Sequence, residues 1–454
     1  MLGLNGLLNH SQRNSEDMPR RYFTFLLPVI LWGVALSSVA QSSVQKTIGK
    51  TVVTVTTDRP GAVYTRNVPI YFNIHVLVDG APARGRVSYV ISDDGMGALK
   101  TGDLDLKEDT PHVQWKQSTP MIVRCTVTYT TADGKQLSGM AAAAVAPYEI
   151  KPTETAPDDL MHYWDKEKAN LAGVPINARL TSIESQTPGV TIYDITLDNV
   201  QGAHVHGYFG KPEGNGPFPA LLYIPGAGVG SASADYAQSM AAKGFLVMAI
   251  SVHDLPNGKP AQFYEKQYAG PLKNYYLQGR ENRDSFYFHR VVLGCVRAID
   301  YLTSRPEWDH QHMIVNGSSQ GGGLTLITTG LDPRVTAAAA NVPALSDHSG
   351  RNFDRPSGWP QLAPLGADGK LDPKILQVAR YYDAVNFARR IRVPMIFGVG
   401  LIDNTCHPTT VFSAYNVVQG PKEIDIAPLM GHAFDPAYNK MLSKFILQQG
   451  GKNK

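Results

Sequence analysis

One serine stands in a sequence that forces a sharp turn between a strand and a helix. Ser319 has Gly317 two residues before it and Gly321 two residues after it. Residues 313–315 form a short apolar stretch before this turn, and residues 324–329 are apolar enough to begin a buried helix. Glycine at both positions lets neighbouring backbone approach, and the turn presents the serine hydroxyl at the end of the strand. We therefore interpret the segment as a nucleophile elbow rather than as a chance match in a glycine-rich chain.

The chain around the elbow alternates short apolar runs with longer amphipathic stretches, which predicts parallel strands joined by helices. The buried strands are predicted at 220–224, 245–250, 313–315 and 395–399. The N-terminal part differs, because short alternating strands follow one another with turn sequences between them and no helical period. We predict an α/β-hydrolase with a mostly parallel sheet at 155–450, preceded by a small all-β, immunoglobulin-like sandwich at 46–148.

Residues 1–40 carry the pattern of an N-terminal extension followed by a secretory signal peptide. Arg20 and Arg21 precede an apolar run at 22–36, and small residues at 37–40 supply a cleavage site. The run is too short and too poorly flanked for a stable membrane span, although a buried helix of the mature fold is an alternative explanation. The mature protein is therefore expected to be exported, either to the periplasm or to the exterior.

The composition of the chain argues against several kinds of partner. A formal net charge of +3 over 454 residues, without blocks of Lys and Arg, does not indicate binding of nucleic acid. The cysteines, Cys125, Cys295 and Cys406, show no CxxC spacing, so neither a disulfide framework nor a zinc site is predicted. We expect no cofactor and no metal, and we expect Cys295, in an apolar helical pattern, to be a buried free thiol.

A serine nucleophile needs a base to take its proton, and the base needs a carboxylate to fix its tautomer. Asp403 follows the strand predicted at 393–399, and His432 follows a last strand predicted at 423–428. The order serine, acid, histidine is that of α/β-hydrolases, and the carboxyl ends of parallel strands meet at one sheet edge. Alternatives remain, because Asp403 could cap a loop turn, His432 could be an exposed loop residue, and His407 is a rival base.

An oxyanion forming at the serine needs two backbone N–H donors. Gln320, the residue after the nucleophile, supplies the first at a helix N-terminus. The glycine-rich loop at 225–228 follows a predicted strand, and we expect the second donor at Ala227. No Lys-Ser/Thr pair follows this loop, so it is not a phosphate-binding P-loop.

Three side chains with flat rings are candidates for the substrate-facing mouth of the site. They are Tyr276, Trp359 and His253. Sugars favour aromatic platforms, but packing in the core or at the rim of the fold is the more common role of such residues.

These segments together resemble the acetyl xylan esterase / cephalosporin C deacetylase family of carbohydrate esterases, over about residues 158–447. The resemblance is carried by segments at 317–323, 331–335, 341–347, 381–388, 400–406, 411–416 and 420–432. It implies Ser319 as nucleophile, His432 as base and Asp403 as orienting acid. It also implies the metal-free removal of acetyl groups from acetylated sugars such as xylan-derived oligosaccharides, and assembly into a homo-oligomer.

The chain departs from the family pattern beside the site, at 251–256, at Pro225 and at Ala433. Two other functions remain open, namely a serine peptidase of the same superfamily and a non-catalytic carbohydrate-binding protein with a hydrolase-like fold. The propeller that gates such peptidases does not fit in about 100 residues of β-domain. An intact serine, acid and histidine order argues against the binding protein. For the β-domain itself, packing or spacing is favoured over glycan binding.

Overall fold

The computed structural model describes residues 51–107 and 111–452, all of which belong to one unit of the chain. The predicted extension and signal peptide at 1–40 lie outside the described residues. Within the described ranges, no helix is long and apolar enough to cross a membrane.

The N-terminal region folds into two β-sheets packed face to face. In the described residues its strands are β1 (Thr51–Thr57), β2 (Val63–Tyr64), β3 (Pro69–Val78), β4 (Ala81–Pro82), β5 (Arg86–Asp93), β6 (Ala98–Asp105), β7 (His112–Lys116), β8 (Met121–Thr130) and β9 (Gln136–Val145). One sheet has the order β1-β3-β4, with β7 also paired to β3, and the other has the order β2-β9-β8-β5-β6. This arrangement confirms the predicted small sandwich.

Strand alternation explains the core of this sandwich. Along β3 every second residue is buried, so that Ile70, Phe72 and Ile74 face inward. They meet Val123 and Val127 of β8 in one apolar cluster. Burying each such side chain contributes about 1.5–3 kcal/mol, which holds the two sheets together.

The opposite face of this sandwich continues into the core of the second region. Ile122 of β8 and Ala142 and Ala144 of β9 are fully buried and belong to the same apolar cluster as Trp164 and Leu222 of the hydrolase region. The sandwich is therefore packed against the hydrolase rather than joined to it by the linker alone.

The second region is built on a nine-stranded sheet with helices around it. Its strands are β10 (Arg179–Ile183), β11 (Val190–Asp198), β12 (His204–Pro212), β13 (Phe218–Ile224), β14 (Leu246–Ile250), β15 (Trp308–Ser318), β16 (Ala337–Asn341), β17 (Met395–Gly400) and β18 (Lys422–Ala427). Its helices are α1 (Leu160–Ala172), α2 (Ala234–Ala241), α3 (Ala261–Ala269), α4 (Tyr287–Thr303), α5 (Gln320–Leu331), α6 (Pro373–Ala379), α7 (Ala384–Ala388), α8 (Pro408–Val417) and α9 (Pro436–Gln449).

The order of the strands puts the carboxyl ends of the central ones at one edge. The sheet order is β10-β11-β12-β14-β13-β15-β16-β17-β18, antiparallel from β10 to β14 and parallel from β14 to β18. The mostly parallel sheet confirms the predicted α/β-hydrolase fold. The apolar run at 313–315 is only the centre of β15, because Trp308 already pairs with Phe218 before a bulge.

Candidate active site

The elbow between β15 and α5 is shaped by glycine. Ser319 adopts a φ of 57° and a ψ of −121°, a region that residues with side chains rarely enter. A Cβ on Gly317 would lie 2.5 Å from the backbone of Gly321, and a Cβ on Gly321 would lie 2.1 Å from the Ile224 carbonyl oxygen. Since these neighbours are backbone atoms that cannot move aside, glycine is required at both positions.

Hydrogen bonds hold the strained serine backbone in place. The Ser319 N–H donates to the Asn341 carbonyl at 2.9 Å, and the Ser319 carbonyl accepts from the Ala344 N–H at 3.0 Å. The Asn341 side chain in turn donates to the Ala433 carbonyl at 3.1 Å, next to His432. The elbow and the histidine loop are thereby tied together.

A continuous line of hydrogen bonds runs from Ser319 to Asp403. His432 Nε2 lies 2.8 Å from Ser319 Oγ, and His432 Nδ1 lies 2.8 Å from Asp403 Oδ2. The partners assign the tautomer, because the carboxylate can only accept from Nδ1–H, which leaves Nε2 free to accept the serine proton. The histidine side chain is about one-quarter exposed, at 26%, whereas the carboxylate is fully buried.

Asp403 also caps a turn of its own loop, as the alternative interpretation predicted, and it does so with its other carboxylate oxygen. Asp403 Oδ1 accepts the N–H groups of Thr405 at 2.7 Å and Cys406 at 3.0 Å. One oxygen therefore shapes the loop while the other orients His432. The rival base, His407, instead contacts the β-sandwich, since its Nδ1 lies 3.1 Å from the Asp94 carbonyl oxygen.

The glycine-rich loop passes close to the nucleophile. A Cβ on Gly226 would lie 3.8 Å from Ser319 Cβ, and Ala227 follows directly. Gln320 is the first residue of α5, so its backbone N–H has no partner within the helix. The loop and the start of α5 therefore lie beside the serine, and the assignment of Gln320 and Ala227 as the two donors stays a prediction.

Tyr275 joins these two elements and was not singled out by the sequence. Its hydroxyl donates to Gln320 Oε1 at 2.6 Å and lies 3.4 Å from the Gly228 nitrogen. The sequence shows it only as the neighbour of Tyr276, and nothing in a tyrosine pair indicates which ring turns inward.

His253 is not at the mouth of the site, which corrects the expectation from the sequence. Only 2% of it is exposed. Its Nδ1 lies 2.6 Å from the Tyr287 hydroxyl, and its Nε2 lies 2.7 Å from the Gly228 carbonyl oxygen. Burial lowers the pKa of His253 to about 4, so the ring stays neutral at ordinary pH. Its role is to support the glycine-rich loop from behind.

Tyr276 and Trp359, by contrast, do lie together in half-buried positions. Their ring centroids are 5.1 Å apart, and the Tyr276 ring also meets Tyr275 edge-on at 5.4 Å. The Trp359 carbonyl accepts from Leu345, the residue after the Ala344 that binds the Ser319 carbonyl. Both rings also pack against the core, as the packing alternative predicts, and their contact with substrate stays a prediction.

We predict that Tyr275→Phe lowers kcat about tenfold with little change in KM. A direct oxyanion donor is worth on the order of 10²–10³ in turnover, and Tyr275 acts only by steadying the loop and Gln320. Hydrolysis of 4-nitrophenyl acetate measures both constants. Tyr276→Phe is the matched control, because in the described part of the chain that hydroxyl donates to the side chain of Asn274 rather than to Gln320. Equal kcat in wild type and Tyr275→Phe would contradict this role.

One group of side chains in the described residues has the spacing of metal ligands. His206 Nε2 and His204 Nδ1 lie 3.1 Å and 3.3 Å from Asp254 Oδ1. Two imidazoles and a carboxylate are ligands that zinc accepts. Acyl transfer by a serine and a histidine has no step that requires such an ion.

The cysteines are buried and free, as expected for Cys295. Cys406 lies on the loop of Asp403, and burial raises the pKa of its thiol well above the usual range. It therefore remains a neutral thiol beside the site.

A serine, a histidine and an aspartate joined in this order, on this sheet, define a hydrolase of the α/β-hydrolase class. Residues 140–449 match the family described as Acetyl xylan esterase (AXE1), and the chain belongs to that family. It is thus a carboxylic ester hydrolase, a deacetylating esterase of the serine type.

Known relatives agree with this assignment. The acetyl esterase Axe7A of Xylanibacter ruminicola is 34% identical over 372 residues, which cover 80% of this chain and 83% of that protein. The solved acetyl xylan esterase from Paenibacillus sp. R4 is 28% identical with a TM-score of 0.58, covering 66% of this chain and 98% of its own. Acetyl xylan esterase 1 from Thermoanaerobacterium sp. is 25% identical with a TM-score of 0.57, covering 67% and 97%. The predicted family and activity are confirmed.

Proposed function

We propose that Ser319, His432 and Asp403 are the catalytic triad of this esterase, and that its substrates are acetylated sugars such as xylan-derived oligosaccharides. The observation that carries the triad is the pair of 2.8 Å contacts that His432 makes, one to the serine oxygen and one to the carboxylate. The substrate class is supported by the family and by the relatives whose names include xylan.

In the first half-reaction, Ser319 Oγ attacks the acetyl carbonyl carbon while its proton passes to His432 Nε2. The C=O bond opens to an oxyanion, which collapses and expels the sugar oxygen. The proton on Nε2 moves to that oxygen, so the sugar leaves as a neutral alcohol and the acetyl group stays on the serine.

In the second half-reaction, water takes the place of the sugar hydroxyl. His432 removes a proton from the water, the hydroxide attacks the acetyl-enzyme, and acetate leaves as Ser319 regains its proton. Throughout, Asp403 stabilises the imidazolium that forms and keeps Nδ1 protonated.

The backbone N–H groups of Gln320 and Ala227 stabilise the oxyanion in both halves. The start of α5 adds the partial positive charge of a helix N-terminus. Tyr275 and His253 fix the loop that carries Ala227, through the contacts with Gly228. Preorganised donors of this kind lose little energy in reorienting when the charge develops.

We also propose that the mature enzyme is exported, because Arg20 and Arg21 precede an apolar run and a small-residue cleavage site at 37–40. Expression of the full chain with its N-terminus intact, followed by N-terminal sequencing of the exported protein, tests this. A mature protein that begins after residue 40 supports export, and an uncleaved protein retained in the cytoplasm contradicts it.

The substrate proposal is tested by comparing acyl chains and sugars. We expect kcat/KM to fall from 4-nitrophenyl acetate to the butyrate and the octanoate, and acetate to be released from acetylated xylo-oligosaccharides. A preference for octanoate, or no acetate from any acetylated sugar, would overturn the substrate class while leaving the esterase assignment standing.

We predict that Trp359→Ala raises KM for acetylated xylo-oligosaccharides about fivefold, because stacking of a ring on an aromatic face contributes on the order of 1 kcal/mol. Turnover of 4-nitrophenyl acetate should change less than threefold, since that ester has no sugar to stack. Tyr148→Ala, which removes an exposed ring after β9, is the matched control. An unchanged KM for the oligosaccharide would favour the packing role for Trp359.

A further inference from the structure

Strand β8 of the sandwich contains a buried arginine. Arg124 lies among the apolar residues Ile122, Val123 and Cys125, and its side chain is 0% exposed. A guanidinium without water needs partners for its charge and its N–H groups, because an unpaired buried charge is strongly destabilising. The partners of Arg124 therefore identify what this residue is built to hold.

Two of these partners lie on the loop that carries the acid of the triad. Arg124 Nη2 donates to the backbone carbonyl of Asp403 at 2.7 Å. Arg124 Nη1 donates to the side-chain oxygen of Asn404, the next residue. The third partner, the carboxylate of Asp94, belongs to the sandwich itself and forms a fully buried ion pair with Arg124.

Asp94 extends the contact to the other end of the same loop. Its Oδ2 accepts the N–H of Thr409 at 3.0 Å, and its carbonyl lies 3.1 Å from His407 Nδ1. Burial acts to raise the pKa of Asp94, but the Arg124 charge and the bonds from His407 and Thr409 together hold this pKa below its ordinary value. Asp94 is thus a carboxylate at ordinary pH, and it keeps the arginine neutralised.

The turn after β5 brings these groups close to the loop. Gly95 follows Asp94 with a φ of +81°, and a Cβ there would lie 3.4 Å from Arg124 Nη1 and 3.7 Å from the side-chain oxygen of Asn404. Residues 403–409 are therefore held at their start by Arg124 and at their end by Asp94. We call this arrangement the acid-loop clamp.

We propose that Arg124 and Asp94 are positioning residues for catalysis. Through them the β-sandwich holds the acid loop, residues 403–409, where the Asp403 carboxylate can bind His432. This inference rests on the proposed role of Asp403 in the triad. One carboxylate oxygen of Asp403 accepts hydrogen bonds from its own loop and the other binds His432. The position of the Asp403 backbone therefore decides where the second oxygen points. A displacement of about 1 Å in such a constellation can cost on the order of 10² in rate.

The clamp gives the sandwich a role beyond packing or spacing. Arg124 contacts the backbone of Asp403 directly, and the guanidinium fork reaches both that carbonyl and Asn404. A lysine at this position would keep the charge but reach only one of the two acceptors well. Arg124→Lys should therefore lose part of the effect, and Arg124→Met all of it.

The test compares Arg124→Met with Arg297→Met. Arg297 is 2% exposed and donates to the backbone carbonyls of Leu171 and Val174 at 2.6 Å and 2.8 Å. Arg297→Met therefore removes an arginine that is buried to a similar degree but binds a different part of the chain. We expect Arg124→Met to lower kcat for 4-nitrophenyl acetate about 10- to 100-fold with KM within about threefold. Folded Arg297→Met should keep kcat within about threefold of wild type.

A double mutant separates positioning from a general loss of stability. If Arg124 acts through Asp403, Arg124→Met combined with Asp403→Asn should be within about threefold of Asp403→Asn alone. A double mutant whose loss of kcat is the product of the two single losses would overturn the clamp. Equal kcat in the folded Arg124→Met and Arg297→Met variants would also overturn it.

Two further variants keep the proposal testable if Arg124→Met does not fold. Arg124→Lys and Asn404→Ala change fewer contacts, and Asn404 is exposed, so both should fold. Each should lower kcat about three- to tenfold with unchanged KM, and wild-type kcat in both would overturn the clamp. A fully active Asp403→Asn would instead remove the proposed triad, which is a different result.

Discussion

Ser319→Ala is expected to lower kcat for 4-nitrophenyl acetate by about 10⁴-fold or more, because removal of a triad nucleophile leaves only binding and the oxyanion donors to act. The substitution removes one oxygen and keeps the backbone of the elbow. Its N–H and carbonyl bonds to Asn341 and Ala344 are unaffected, so the melting temperature should stay close to that of wild type. Steady-state kinetics and thermal unfolding measure the two effects.

The matched control for this prediction is the adjacent serine. Ser318→Ala removes a hydroxyl that accepts from Asn341 Nδ2 at 3.1 Å, whereas the hydroxyl at 2.8 Å from His432 Nε2 belongs to Ser319. It should retain activity within about tenfold of wild type, since only a supporting bond is lost. Inactivation by Ser318→Ala with activity kept in Ser319→Ala would exchange the roles of the two residues.

Asp403→Asn is expected to lower kcat by about 10³- to 10⁴-fold, because it favours the wrong tautomer of the base. An asparagine oxygen can still accept the Thr405 and Cys406 N–H groups, so the loop keeps its shape. Its amide nitrogen then faces His432 Nδ1 and donates to it, which moves the histidine proton to Nε2. A protonated Nε2 cannot accept the proton of Ser319.

Asp403→Ala distinguishes the two tasks of this carboxylate. It should be as inactive as Asp403→Asn and should also unfold at a lower temperature, since the buried Cys406 N–H loses its acceptor at a cost of about 1–3 kcal/mol and the part-buried Thr405 N–H loses the same acceptor. Kinetics and thermal unfolding of both variants check this. Near-wild-type turnover in Asp403→Asn would contradict the assigned role.

The order of the triad was predictable from sequence because each member follows a predicted strand of the parallel sheet. The close backbone approach at Gly317 and Gly321 is a local requirement that any sequence with this turn must meet. Parallel strands then place the ends of β15, β17 and β18 at one sheet edge, which brings Asp403 and His432 near the elbow. Periodicity and turn chemistry suffice for this much.

Side-chain burial was not predictable in the same way. His253 was a candidate for the mouth because sugars favour flat rings, yet it turns inward to Tyr287 and Gly228, as the packing alternative predicts. That outcome depends on how the loops pack and not on local pattern. The sequence likewise does not indicate which of the adjacent tyrosines, Tyr275 or Tyr276, turns inward to bind Gln320.

The acid-loop clamp could not be predicted from the sequence, because its residues are far apart along the chain. An arginine inside an apolar strand signals a buried partner, but Arg124 and Asp403 are 279 residues apart. Only the packing of the sandwich on the hydrolase region brings them together. The local pattern of either region does not show this contact, so the sequence predicted only packing or spacing for the sandwich.

The most direct test of the central claim is to find which residue reacts with a phosphonylating probe. The enzyme is labelled with an organophosphonate, digested, and the modified peptide is sequenced by mass spectrometry. The account predicts a single adduct on Ser319 in wild type and in Ser318→Ala, and none in Ser319→Ala. An adduct on Ser318 or Cys406, or undiminished labelling of Ser319→Ala, would contradict it.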